Sequence, residues 1–203
     1  MSQIDFKPHP DALYFHIAAD ALGAAKTEKD PLKLQQYVAT VLVFSALCLE
    51  AYINQEYARH DETAKLLDDD QSFRLESKWL LFPLLLASPR TFDKGANPFQ
   101  TFARLIALRN QRLVHFKPHK ETLTAVKASS RPKEYLIELL QDAEQAERYH
   151  RCVGDMIRTL HQLCSGKTRL PEFLSGHRYS QEVPVSRSAT MPFEALGSHG
   201  EAS

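Results

Sequence analysis

The chain has 203 residues, 43% of them hydrophobic and 25% charged, which suits one globular domain, or one domain plus tails. Basic and acidic residues balance at 25 each, so no global field draws the chain to nucleic acid or membrane; any such affinity must come from a local patch. Only 7 glycines occur and no alternating strand pattern of useful length appears, while 3.6-residue periods dominate. The reading is all-α: an antiparallel bundle of about five helices over residues 1–174, with a flexible C-terminal tail over 175–203.

In chain order, MSQIDFKPHP is polar and broken by prolines, unlike a signal peptide. A first helix is predicted from about Pro10 to Lys26, with Tyr14, Ile17, Ala18, Ala21 and Ala25 on its inner face and His16 and Asp20 outside. Pro10 and Asp11 suit its start. Asp30-Pro31 is an N-cap followed by proline at the first helical position. The helix it opens runs to about His60, and its middle, YVATVLVFSALCLEAYIN, is apolar nearly all round, so it belongs at the centre. Its longest apolar run, Val41 to Leu49, falls short of the roughly 20 residues a membrane span needs.

Asp61 to Asp70 is a polar, acidic connection. Gln71 to Leu86 reads as helix, kinked or ended by Pro83. Ser88 to Pro98 is a loop by composition, and Phe99 to about Phe116 is the next helix. The last helix is predicted from about Lys133 to Cys164. Leu139, Ala146, Tyr149, Val153, Met156, Leu160 and Leu163 form its packing seam, in the bundle or between chains, and Asp142 interrupts it. Ser165-Gly166 ends it. Cys48, Cys152 and Cys164 lie in apolar helical patterns without a C-x-x-C pair, which reads as small buried hydrophobes in a reducing cytoplasm.

One stretch departs from this pattern: LRNQRLVHFKPH, Leu108 to His119. On an α-helical wheel, Phe99, Leu105, Ile106 and Leu113 fall within roughly 60° of Phe102, and Arg109 within roughly 20°. Arg109 thus points out of the middle of an apolar stripe, where an arginine is costly unless paired or at an interface. Glu50 is the conspicuous partner, with or without Asn54 one turn later on the same face. Such a pair serves either helix register or a site.

His115 is six residues on, off the Arg109 face of an ideal helix. Pro118 disfavours helix at Lys117, so the helix is predicted to end there and let His115 turn back, as a C-terminal cap or as a working imidazole. Between Asp93 and Glu121 there is no acid, while Lys94, Arg104, Arg109, Arg112, Lys117 and Lys120 supply positive charge. That suits phosphate groups, or else a solvated basic helix. His115 and His119 at i, i+4 are broken by Pro118 and have no carboxylate near in sequence, so no metal site is expected.

LRNQRLVHF resembles the signature of HEPN domains: an Arg, four to six residues, then a His, with a polar residue just after the Arg. Here these are Arg109, Asn110 and His115. The apolar second helix with an acidic residue and the long amphipathic last helix fit the same layout. The resemblance implies a small helical bundle that dimerises so that two motifs meet in one cleft. It implies metal-independent RNA cleavage, with no cofactor, in toxin–antitoxin or other defence systems. It also admits a non-catalytic module that binds a protein partner, such as an antitoxin, or a nucleotide. On this basis Arg109, Asn110 and His115 are the catalytic candidates. Arg104, Arg112, Lys117 and Lys120 are RNA-binding candidates, and Glu50 and Asn54 are supports. Some toxins of the family carry a modifiable Tyr two positions after the His; Lys117 stands there.

Overall fold

A computed structural model describes residues 9–61, 63–64, 74–114 and 140–175. The described chain is all-α, with five helices and no strand among the described residues: α1 (Pro10–Ala25), α2 (Pro31–Arg59), α3 (Leu75–Leu85), α4 (Phe99–Leu108) and α5 (Ala143–Leu163). The expected tail, and Leu139 of the expected seam, lie outside the described residues.

Local chemistry sets the boundaries. Asp30 Oδ1 accepts from Leu32 N at 2.9 Å and Pro31 opens α2, so the sequence signal is used as read. Gly166 takes φ 80 after Ser165 at φ 53, and its N–H donates to His161 O at 2.9 Å, closing α5. Two predicted boundaries are corrected. α5 begins at Ala143, not near Lys133, because Asp142 is its N-cap: Oδ1 accepts from Gln145 N at 2.8 Å. The residue that broke the seam is the residue that starts the helix. The helix predicted to about Phe116 keeps α geometry (α4) only to Leu108 and continues as a π-helical turn, Arg109–Val114, the last described residue of that span.

α1 and α2 form an antiparallel hairpin: Gln55, near the end of α2, donates to Asp11 Oδ1 at the start of α1 at 3.1 Å. α5 lies across both. Lys26 Nζ meets Glu147 Oε2 at 2.9 Å at one end, and the chain after α5 meets Asp11 at the other. The predicted seam residues Ala146, Tyr149, Val153, Met156, Leu160 and Leu163 are all buried inside this bundle, so the seam is internal. On α1 the buried stripe is Asp11, Phe15, Ala18, Ala21, Leu22 and Ala25; Tyr14 and Ile17 are half-buried instead of central, while His16 and Asp20 do face outward. α2 is the core helix, although by length and composition it could also cross a membrane; half of its most apolar stretch is buried here.

α3 and α4 complete the core through aromatics. Trp79 stacks on Tyr52 at 5.9 Å and meets Phe92 and Phe102 at 5.9 and 5.8 Å. Pro83 sits inside the last turn of α3 without ending it early. The loop after α3 is pinned by Thr91 Oγ1 donating to Leu80 O at 2.7 Å and Ser88 Oγ donating to Leu163 O at 2.8 Å.

Candidate functional site

α4 buries Phe99, Phe102, Leu105 and Ile106 against the core, and its next inward position is Arg109. The first residue of the π turn therefore comes off the apolar stripe, as its spacing predicts. π turns are rare, because their i→i+5 ladder packs the backbone less well than an α-helix, and many lie at functional positions.

The turn packs on α2, and Arg109 Nη1 lies 3.0 Å from Glu50 Oε2. The predicted pair thus forms. It is not a fully hydrogen-bonded one: Arg109 Nε and Glu50 Oε2 are both buried without a hydrogen-bond partner. The 3.0 Å contact supplies Coulomb attraction while its N–H is not aimed well at the oxygen. Asn54 does not join. Lys78 of α3 donates to its Oδ1 at 3.0 Å, so the residue one turn past Glu50 ties α2 to α3.

Asn110, next to Arg109 in the chain, and Arg104 are exposed. The side chain of Arg112, and all of His115, Lys117, Lys120 and the His115/His119 spacing, lie outside the described residues. Among the described residues, no group of three or more His, Cys, Asp or Glu side chains is arranged to hold a metal ion. The three cysteines are free and buried. Burial first, then the nearby Asp11 carboxylate, pushes the Cys48 thiol well up; burial, then Glu56, pushes Cys164 up to about 11.

The sequence reading missed a second charged cluster, six residues past Glu50 at the C-terminal end of α2. Asp11 and Glu56 are completely buried, and Arg169, from the segment after α5, is set against both. Arg169 Nη2 donates to Asp11 Oδ2 and, at 3.1 Å, to Gln55 Oε1. Its backbone N–H donates to Glu56 Oε2 at 3.2 Å, and its carbonyl accepts from Tyr52 Oη at 2.6 Å. Its guanidinium lies 5.6 Å from the Tyr52 ring centroid. Arg59 covers the other face of Glu56, with Nη1 3.0 Å from Oε1. Burial, then Glu56, raises the Tyr52 hydroxyl well above the usual tyrosine range, so it stays a donor. His161 Nδ1 lies 2.9 Å from Thr168 O, which shapes the approach to Arg169.

Beyond Arg169 the chain straps back over the bundle. Phe173 stacks on Phe15 at 4.4 Å. Leu174 packs over Gly154, where a Cβ would come within 3.3 Å of Leu174 Cδ2 and 3.0 Å of Arg158 Nη1. The signal for this cluster was present in the sequence: Asp11 continues the Phe15, Ala18, Leu22 stripe, and Glu56 follows Tyr52 and Ile53. Two acids on apolar stripes call for a cation.

No family model matches the chain, and neither characterised proteins nor solved structures give a significant match.

Proposed function

We propose that the chain is a HEPN-type endoribonuclease, a toxin or antiphage-defence effector that works as a homodimer. One observation carries this reading most: Arg109 leaves the apolar stripe of α4 on a π turn, against an acid of the core helix and beside exposed Asn110, one motif length before His115. The all-α bundle and the acid-free, cationic stretch from Lys94 to Lys120 agree with it.

The chemistry follows from these residue types. A ribose 2′-hydroxyl attacks the adjacent phosphorus while a base takes its proton. The bond from phosphorus to the 5′ oxygen then breaks as an acid protonates that oxygen, leaving a 2′,3′-cyclic phosphate and a 5′-hydroxyl. Histidine titrates near neutrality and serves in either role, so two copies of His115 in a dimer supply both. A guanidinium at Arg109 binds the phosphate and stabilises charge that develops on it. Asn110 donates to a phosphate oxygen or orients His115.

The test is cleavage of RNA in EDTA by the purified protein, with Arg109→Ala and His115→Ala beside it. Each substitution is expected to lower the rate by roughly 10²-fold or more. Unchanged cleavage in both variants ends the reading. A second reading, a non-catalytic HEPN-like module for a protein partner or nucleotide, is favoured by the counter-ion that Glu50 already gives Arg109. It predicts a stable complex and no RNA turnover.

A further inference from the structure

We propose that Glu50 is an exchangeable counter-ion that occupies the phosphate position on Arg109 and is displaced by an RNA phosphodiester. The inference rests on the ribonuclease reading and adds to it the residue with which substrate competes.

Three observations carry it. First, the contact is close but poorly made: Nη1 and Oε2 are 3.0 Å apart, yet neither Arg109 Nε nor Glu50 Oε2 has a hydrogen-bond partner. A carboxylate that held the guanidinium for good would be expected to accept in the two-pronged geometry that planar oxyanions and guanidinium favour. A buried donor and a buried acceptor left unmatched tax the resting pair instead. Second, the Glu50 side chain as a whole is 38% exposed although its contacting Oε2 is buried, so the carboxylate has solvent beside it into which it can turn when displaced. Third, Arg109 begins the π turn with Asn110 exposed next to it, so an oxyanion arriving there meets an amide donor as well as the guanidinium. A phosphodiester presents two non-bridging oxygens and can satisfy both prongs of the guanidinium, which Glu50 does not.

The alternative role for Glu50 is fixed positioning of Arg109, and the two differ in sign. The experiment uses the full chain in a His115→Ala background, so that the probe survives. Binding of a fluorescein-labelled single-stranded RNA is followed by anisotropy for four proteins: Glu50 retained, Glu50→Gln, Arg109→Ala, and the double variant. Glu50→Gln keeps shape and removes charge, and is expected to bind roughly two- to fivefold more tightly, with the gain shrinking as salt rises. The gain should vanish when Arg109 is absent, as a coupling through that residue requires. A fifth protein, Glu50→Ala, whose side chain cannot take up a new hydrogen bond, should move affinity in the same direction.

Affinity that is unchanged or reduced in both Glu50 variants overturns the exchange. Tripolyphosphate, titrated calorimetrically against the same proteins, separates the two proposals. If no protein binds RNA but tripolyphosphate binds Glu50→Gln more tightly through Arg109, Glu50 exchanges with a phosphate oxyanion, but RNA as its occupant and the ribonuclease reading both fall. If the parent chain cleaves RNA and neither Glu50 variant binds either probe more tightly, the reading stands and the exchange falls. Failure of both probes with all five proteins also overturns it.

Discussion

Two arginines, Arg109 and Arg169, meet carboxylates of the α1–α2 hairpin, and they are almost equally buried, with side chains 21% and 23% exposed. The carboxylates differ. Glu50 is 38% exposed, whereas Asp11 and Glu56 are completely enclosed. Partner number differs too: Arg169 is bonded to Asp11 and Gln55 through its guanidinium, and to Glu56 and Tyr52 through its backbone. Arg109 has one ion pair of imperfect aim. The lesson is that the exposure of the arginine says little. A pair is structural when the acid cannot reach water, and available for other work when it can.

The comparison can be broken most directly at Arg169. Arg169→Ala leaves the enclosed Asp11 carboxylate without its cation, while Glu56 keeps Arg59, and is expected to cost about 3–5 kcal/mol of stability. Urea unfolding monitored by helical circular dichroism measures it; a loss under about 1 kcal/mol would put the two arginines in one class. Tyr52→Phe removes the hydroxyl that donates to the Arg169 carbonyl at 2.6 Å, and about 1 kcal/mol should go with it in the same assay. Arg109→Ala completes the series at the small end, within about 1 kcal/mol, because the partly exposed Glu50 side chain can turn its carboxylate to water once the arginine is gone. If Arg109→Ala unfolds the protein as readily as Arg169→Ala does, Glu50–Arg109 is a register device and the site lies elsewhere.

The sequence made the first arginine legible and hid the second, for a physical reason. Arg109 interrupts a regular stripe, so helical periodicity alone exposes it, and Glu50 interrupts another. Arg169 sits in a short irregular segment, where no period marks an inward residue, and its partner Asp11 carries the ordinary credentials of a helix start. The stripe it continues asks for a cation, but which cation answers is a contact 158 positions away, which local patterns do not encode. The π turn was invisible for a related reason. A helical wheel assumes 100° per residue, so it carries Arg109 to the right face and then misses the wider turn that begins there. Asn54 shows the opposite error: sharing a face with Glu50 is a local fact, but which neighbouring helix offers a donor is not, and Lys78 of α3 reaches it first.

The Arg169–Asp11 clasp also bears on the order in which the chain assembles. It joins positions 158 apart, a closure whose length-dependent entropy alone is about 4.5 kcal/mol in a free chain. Helical hairpins such as α1–α2 form through near neighbours and face no such barrier. The clasp, made by the segment after α5, is expected to close once α1, α2 and α5 have docked and so to be absent from the rate-limiting step. Its removal then registers in the unfolding limb of a chevron, with the refolding limb left almost where it was. Arg169 thus governs how long the native fold lasts far more than how fast it is reached.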